Sequence, residues 1–164
     1  MATLVRPGAV NGIDELFERA RAWPTMTTLD AHHVGITVSD LERAIEFYRD
    51  VLGLEVLDRF SVDGEAFSEA VGVDDAAGSF AHLEGGDVRI ELVAYDPEGT
   101  DGRAESINQP GAKHVGFAVS DLDAFYEGLP EDVETISEPQ TTESGTRICF
   151  LSDPEDNLVE LLEL

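Results

Sequence analysis

The stretch "HHVGITVSDL", His32 to Leu41, returns as "KHVGFAVSDL", Lys113 to Leu122, and this repetition decides the fold. Aligning His33 with His114 sets an offset of 81 residues and matches His, Val, Gly, Val, Ser, Asp and Leu at identical places. Further on, "VRIELV" (Val88 to Val93) resembles "NLVELL" (Asn157 to Leu162), with Glu91 against Glu160 at an offset of 69, so the second copy is 12 residues shorter. A self-similar period of this kind marks one supersecondary unit written twice.

Each copy reads as the same order of elements. A β-branched strand over 31–38 meets a cap at Ser39 or Asp40, and Leu41, Ala44, Ile45 and Tyr48 then fall at helical spacing until Gly53 ends the helix. The strand candidates "LEVLDRFSV", "GSFAHLEG" and "VRIELVAY" follow, separated by Gly and Asp, with a short helix expected in "GEAFSEAVGV". The second copy predicts a strand over 112–119, a helix over 121–128 and strands near 132–137, 145–151 and 157–163. The expected fold class is α+β: two βαβββ modules, about 30–98 and 110–164, side by side in one domain over 30–164, forming a curled mixed sheet around a cleft.

Strand parity singles out four side chains. Val34, Ile36 and Val38 share one face of the first strand and His33 stands on the other; Ile90 and Leu92 likewise leave Glu91 opposite. In the second copy Val115, Phe117 and Val119 leave His114 on the uncovered face, and Val159 with Leu161 leaves Glu160 there. One His or Glu on a strand is ordinarily a surface residue. The same two types recurring in register on the same face, twice, are hard to explain as four accidents, and two sheets curling toward each other would bring them together as metal ligands.

Composition bounds the rest. The chain has 164 residues, 42% of them hydrophobic, enough for one domain with a real core. Acidic residues number 35 against 10 basic, a formal net charge of -25, and the only lysine is Lys113. Such a surface repels phosphate backbones and anionic lipid, which excludes nucleic acid and membranes as expected partners. An acidic shell nearly free of lysine suits concentrated salt and points to a halophilic source. No apolar run of membrane length and no signal-like opening stretch is seen, so a cytoplasmic protein is expected. The single cysteine, Cys149, reads as a small buried hydrophobe. Residues 1–29 stand outside the repeat; Ile13, Leu16, Phe17 and Ala20 predict a short amphipathic helix there, and Met26 is an alternative start.

On the phrases "HHVGITVSDLERAIEFYRDVLGLEV", "IELVAY", "KHVGFAVSDLD" and "FLSDPEDNLVELLE", the chain resembles the vicinal oxygen chelate superfamily, which includes glyoxalase I, methylmalonyl-CoA epimerase, fosfomycin-resistance proteins and extradiol dioxygenases. The closing phrase is similar to the family's DPxGNxxEL, with Asp156 where Gly is usual. The resemblance implies a divalent metal ion (Ni, Zn, Mn, Co or Fe) held by His33, Glu91, His114 and Glu160, the four that parity selects. It also implies a small-molecule substrate and, commonly, a homodimer. Two imidazoles and two carboxylates form a mixed N/O site for a first-row divalent ion with open positions. The four-residue set looks most like glyoxalase I, an isomerase or lyase working through an enediolate, with Glu160 as main acid/base and Glu91 on the opposite side. The epimerase, with Gln where Glu91 stands, is the nearest alternative; a ring-cleaving dioxygenase and a non-catalytic module of the bleomycin-resistance kind lie further off. The glyoxalase phrase of Asn, Trp and Gly is replaced by "AYDPEGTDG", and no arginine cluster awaits an anionic thiol.

Four further positions are conspicuous. Arg89 and Arg147 are candidates for holding a substrate carboxylate, against salt bridges to the abundant acids. His82 has no counterpart in the repeat, and His32 falls on the covered side by parity.

Overall fold

The computed structural model describes residues 29–164; the helix expected over the N-terminal extension and the Met26 start lie outside the described residues. The first module runs β1 (His33–Thr37), α1 (Leu41–Glu46), β2 (Val56–Val62), α2 (Glu65–Val71), β3 (Ala77–Leu83) and β4 (Arg89–Asp96). The second runs β5 (His114–Ala118), α3 (Leu122–Glu127), β6 (Gln140–Thr141), β7 (Arg147–Ser152) and β8 (Leu158–Glu163). Each forms a four-stranded sheet, ordered β1-β4-β3-β2 and β5-β8-β7-β6, with the first and last strands of the module parallel neighbours. The expectation of two βαβββ units is met. The two sheets are separate, and neither closes into a barrel.

The helices begin where the repeated Ser-Asp predicts. Asp40 and Asp121 accept from Arg43 N and Ala124 N at 3.1 and 2.9 Å, each satisfying an otherwise orphaned amide of the first turn. Helix α1 continues as a π-helical segment, Phe47–Val51, and stops at Gly53 with φ 75°. The wider π turn, with Leu52 N bonded to Phe47 O at 3.2 Å, turns Phe47 inward beside Tyr48, which regular helical spacing had not selected.

One strand differs from expectation. The segment 132–137 makes only a bridge, Thr135 with Leu151, and the edge of the second sheet is the two-residue β6. Ile136 N donates to Phe150 O and Ser152 N to Glu134 O, both at 2.9 Å, but Pro130 and Pro139 bracket the segment and Glu131, Asp132, Glu134 and Glu138 charge it, which keeps this edge short.

Buried side chains of both modules join one core: Val38, Ala44, Ile45, Tyr48, Leu83, Ile90 and Leu92 from the first, and Leu122, Cys149, Leu151, Val159 and Leu161 from the second. Cys149 is 1% exposed, as expected of a buried hydrophobe, and burial pushes its thiol pKa up. The joint between modules lies on the helix side. There, Glu155 accepts from Ser39 N and Asp40 N at 2.7 to 2.8 Å, and Arg103 donates to Glu155 O and Asp156 Oδ2, both at 2.6 Å. The opposite faces of both sheets are left outside this joint.

Candidate functional site

The open face of the first sheet carries His33 on β1, His82 on β3 and Glu91 on β4. The parallel register sets Gly35 beside Glu91, so the carboxylate reaches diagonally to His33, with Nε2 to Oε1 at 3.4 Å. A Cβ at Gly35 would stand 3.8 Å from Glu91 Oε1, an ordinary contact, so the glycine after His-Val leaves open space over the carboxylate without being required by it. The second sheet repeats the arrangement: Gly116 lies beside Glu160, and His114 Nε2 stands 3.3 Å from Glu160 Oε2.

The structure thus brings the four predicted ligands together as two pairs. It does not bring the pairs together: among the described residues no group of three or more His, Cys, Asp or Glu side chains is arranged to hold a metal ion. The physical reason is the joint on the helix side. With the covered faces sharing one core, the uncovered faces cannot curl toward each other within the chain. Within each pair the donors fit a metal. Two ligands at right angles, each about 2.1 Å from one ion, stand about 3 Å apart, close to the spacings seen.

His33 and His114 are both half-exposed, whereas the two carboxylates are largely covered. Behind His33, Nδ1 of its ring lies 2.8 Å from His32 Nδ1, and Arg89 reaches His32 Nε2 at 3.4 Å. Arg89 shares the face of Glu91 and remains at the site's edge. Arg147 does not. It lies on the helix side of β7, bonded to both oxygens of Asp123 and to Glu163 at 3.3 Å, so the salt-bridge reading replaces substrate binding for this residue.

Sequence reasoning missed two features. His82, buried at 8% exposure, places Nε2 2.7 Å from Glu91 Oε2, directly across the β3–β4 ladder. An aromatic row also lines the same face: Phe60 stacks on Phe80 at 5.0 Å, Phe80 meets Tyr95 edge-on at 6.3 Å, and Phe67 from α2 packs over both. Period-two spacing within β3 and β4 carried that signal. A hollow of about 570 Å³ lies elsewhere, between the start of α1 and Phe60, Ser79 and Ala94, and touches neither pair.

Residues 30–161 match the family model of the Glyoxalase/Bleomycin resistance protein/Dioxygenase superfamily, and the chain belongs to that superfamily. It is 29% identical to a 2-epi-5-epi-valiolone epimerase of Actinomyces sp., over 81% of this chain and 78% of that protein. It is 30% identical to the mitochondrial methylmalonyl-CoA epimerase of Mus musculus, over 81% and 70%. A solved glyoxalase family protein from Bacillus cereus superposes with a TM-score of 0.76 at 28% identity, covering 87% of this chain and 98% of that one. The trypanothione-dependent glyoxalase I of Leishmania major shares the fold at a TM-score of 0.57 and 23% identity, over 83% and 87%.

Proposed function

We propose that this protein is a divalent-metal isomerase or lyase of the glyoxalase I type, acting on a substrate with two neighbouring oxygens through an enediolate. The observation that carries this reading is the duplicated His–Glu pair, His33 with Glu91 and His114 with Glu160, each at a spacing suited to two ligands of one ion. Bound there, a divalent ion supplies Lewis-acid stabilisation of the charge that develops on the substrate's oxygens. Glu160 takes the proton from the carbon next to the carbonyl and returns it to the neighbouring carbon. Glu91 holds the opposite side. Phe60, Phe80 and Tyr95 wall the face of the first pair and favour an apolar portion of substrate beside it.

A second copy of the chain completes the centre in this reading, the first module of one subunit facing the second module of the other. The open edges support it: among the described residues β1 and β5 have no strand partner on their outer sides, and Val34 on β1 is 42% exposed. The reaction takes place in the cytoplasm at high salt, in keeping with the acidic surface.

Epimerisation is the second reading, favoured by the two epimerases among the relatives. Both readings share removal of a proton next to a carbonyl, so one experiment tests them together. Hemithioacetals of 2-oxoaldehydes with several small thiols, and 2-substituted malonyl thioesters, are incubated with metal-loaded protein in deuterated buffer at high salt without oxygen. Deuterium entering at the carbon next to the carbonyl of at least one compound is the expected result. Oxygen-dependent ring cleavage with no exchange anywhere, or protein that retains well under one divalent ion per chain after loading, would overturn the proposal.

A further inference from the structure

The two half-sites are built on the same repeat, yet one position breaks their symmetry. In the first module the residue across the ladder from Glu91 is His82; in the second, the residue across the ladder from Glu160 is Phe150. His82 Nε2 lies 2.7 Å from Glu91 Oε2 while Oε1 of the same carboxylate faces His33, so one oxygen is held and the other is presented. Phe150 carries no donor. Among the described residues no hydrogen bond reaches Glu160, whose contact is with His114.

In both modules the ring across the ladder also lies beside the ligand imidazole, though at a different angle. His82 stacks on His33 with centroids 6.1 Å apart, and Phe150 meets His114 edge-on at 5.3 Å. Both residues therefore orient the ligand imidazole by contact, and only His82 adds a hydrogen bond to the carboxylate. Such a bond fixes the carboxylate's rotamer, and outer partners of this kind typically contribute about 10–100-fold to metal affinity. Its own burial, between Phe60 at 5.1 Å and the ladder, fixes His82 in turn.

We propose that His82 is a positioning residue that divides the labour of the two glutamates. Glu91 is clamped as a permanent ligand, and Glu160, unclamped beside Phe150, is the carboxylate free to leave the metal and carry the proton. This rests on the metal-centre reading given above.

Cobalt(II) is the probe, titrated at high salt into wild type, His82→Phe, His82→Gln and Phe150→His while the visible absorption band is followed. His82→Phe copies the second module's own solution and is expected to weaken cobalt binding about 10-fold or more. His82→Gln, which keeps an N–H, is expected to recover most of that loss with the band shape unchanged. Phe150→His, which adds a donor opposite Glu160, is expected to tighten binding several-fold. Equal affinity in wild type and His82→Phe would overturn the inference alone. A changed band in His82→Gln would overturn it too, because His82 would then be a ligand. Failure of wild type to bind cobalt would sink this inference and the metal-centre reading together. Where His82→Phe does not fold, absence of any gain in Phe150→His overturns the proposal.

Discussion

The Tyr48 hydroxyl donates to Asp153 Oδ2 over 3.3 Å, tying the helix of the first module to the closing turn of the second. Asp153 is itself 3% exposed and accepts from Glu155 N, Asn157 N and Asn157 Nδ2 at 2.8 to 2.9 Å, so the turn that precedes β8 is organised around one buried carboxylate. Tyr48→Phe removes one of four donors and is expected to cost about 1 kcal/mol in urea unfolding. Burial, then the Asp153 charge, raises the Tyr48 hydroxyl's pKa far above its ordinary value. The neutral phenol is thus favoured in the folded state: its contribution is fully present below about pH 10 and is lost as pH rises toward the folded value. Wild type is expected to lose stability above about pH 10 in part through this group, and Tyr48→Phe to lack that part.

Glu155 places its carboxylate on the amides of Ser39 and Asp40, capping the approach to α1 from the other module. Glu155→Ala should cost about 1–2 kcal/mol, the range of a charge-assisted bond at a partly exposed site. Glu155→Gln should recover about half. Paired denaturation curves check this; an unchanged midpoint for Glu155→Ala would show that the core alone holds the modules.

Glu160→Gln keeps an oxygen donor and removes the base. Metal content is expected to stay near that of wild type while turnover, measured on the compound found by deuterium exchange, falls about 10²-fold or more. His33→Ala and His114→Ala should instead lose metal. Near-normal turnover in Glu160→Gln would take Glu160 out of the proton-transfer role.

Mixing two inactive chains tests where the centre is assembled. If the pairs meet across a dimer, co-refolding His33→Ala with His114→Ala leaves one intact centre in each mixed dimer, and about a quarter of wild-type activity returns. If all four ligands came from one chain, nothing would return.

The net charge of -25 predicts a strong salt dependence. Melting temperature should rise by several degrees or more between about 0.1 and 2 M potassium chloride, as screening length falls from about 10 Å to a few ångströms. A flat response would mean that self-repulsion between the acidic side chains does little to destabilise the fold.

The fold was legible because its repeat is local. His33 to Leu41 and His114 to Leu122 each contain a strand, a cap and the start of a helix within a few residues, and period-two alternation says which face each side chain takes. The pairing of His33 with Glu91 and of His114 with Glu160 followed from that parity and is seen at 3.4 and 3.3 Å. The segment 132–137 differs because its alternation suits a strand, while its own carboxylates and the prolines on either side confine its pairing to one bridge.

The content of each half-site is written in the chain's local pattern, since the residues and their faces depend only on short-range geometry. Their surroundings come from contacts between distant parts of the chain. His82 has no echo in the repeat, and it meets Glu91 only because the antiparallel β3–β4 register sets them opposite, a register fixed by long-range pairing. Whether the two pairs share one chain's cleft likewise depends on which faces of the modules are glued. Here the apolar residues around Tyr48, Leu122 and Leu151 join the helix sides into one core. Burial of that surface favours joining the helix sides, because apolar area gains from leaving water, whereas the open faces carry the His and Glu side chains, which lose by leaving it.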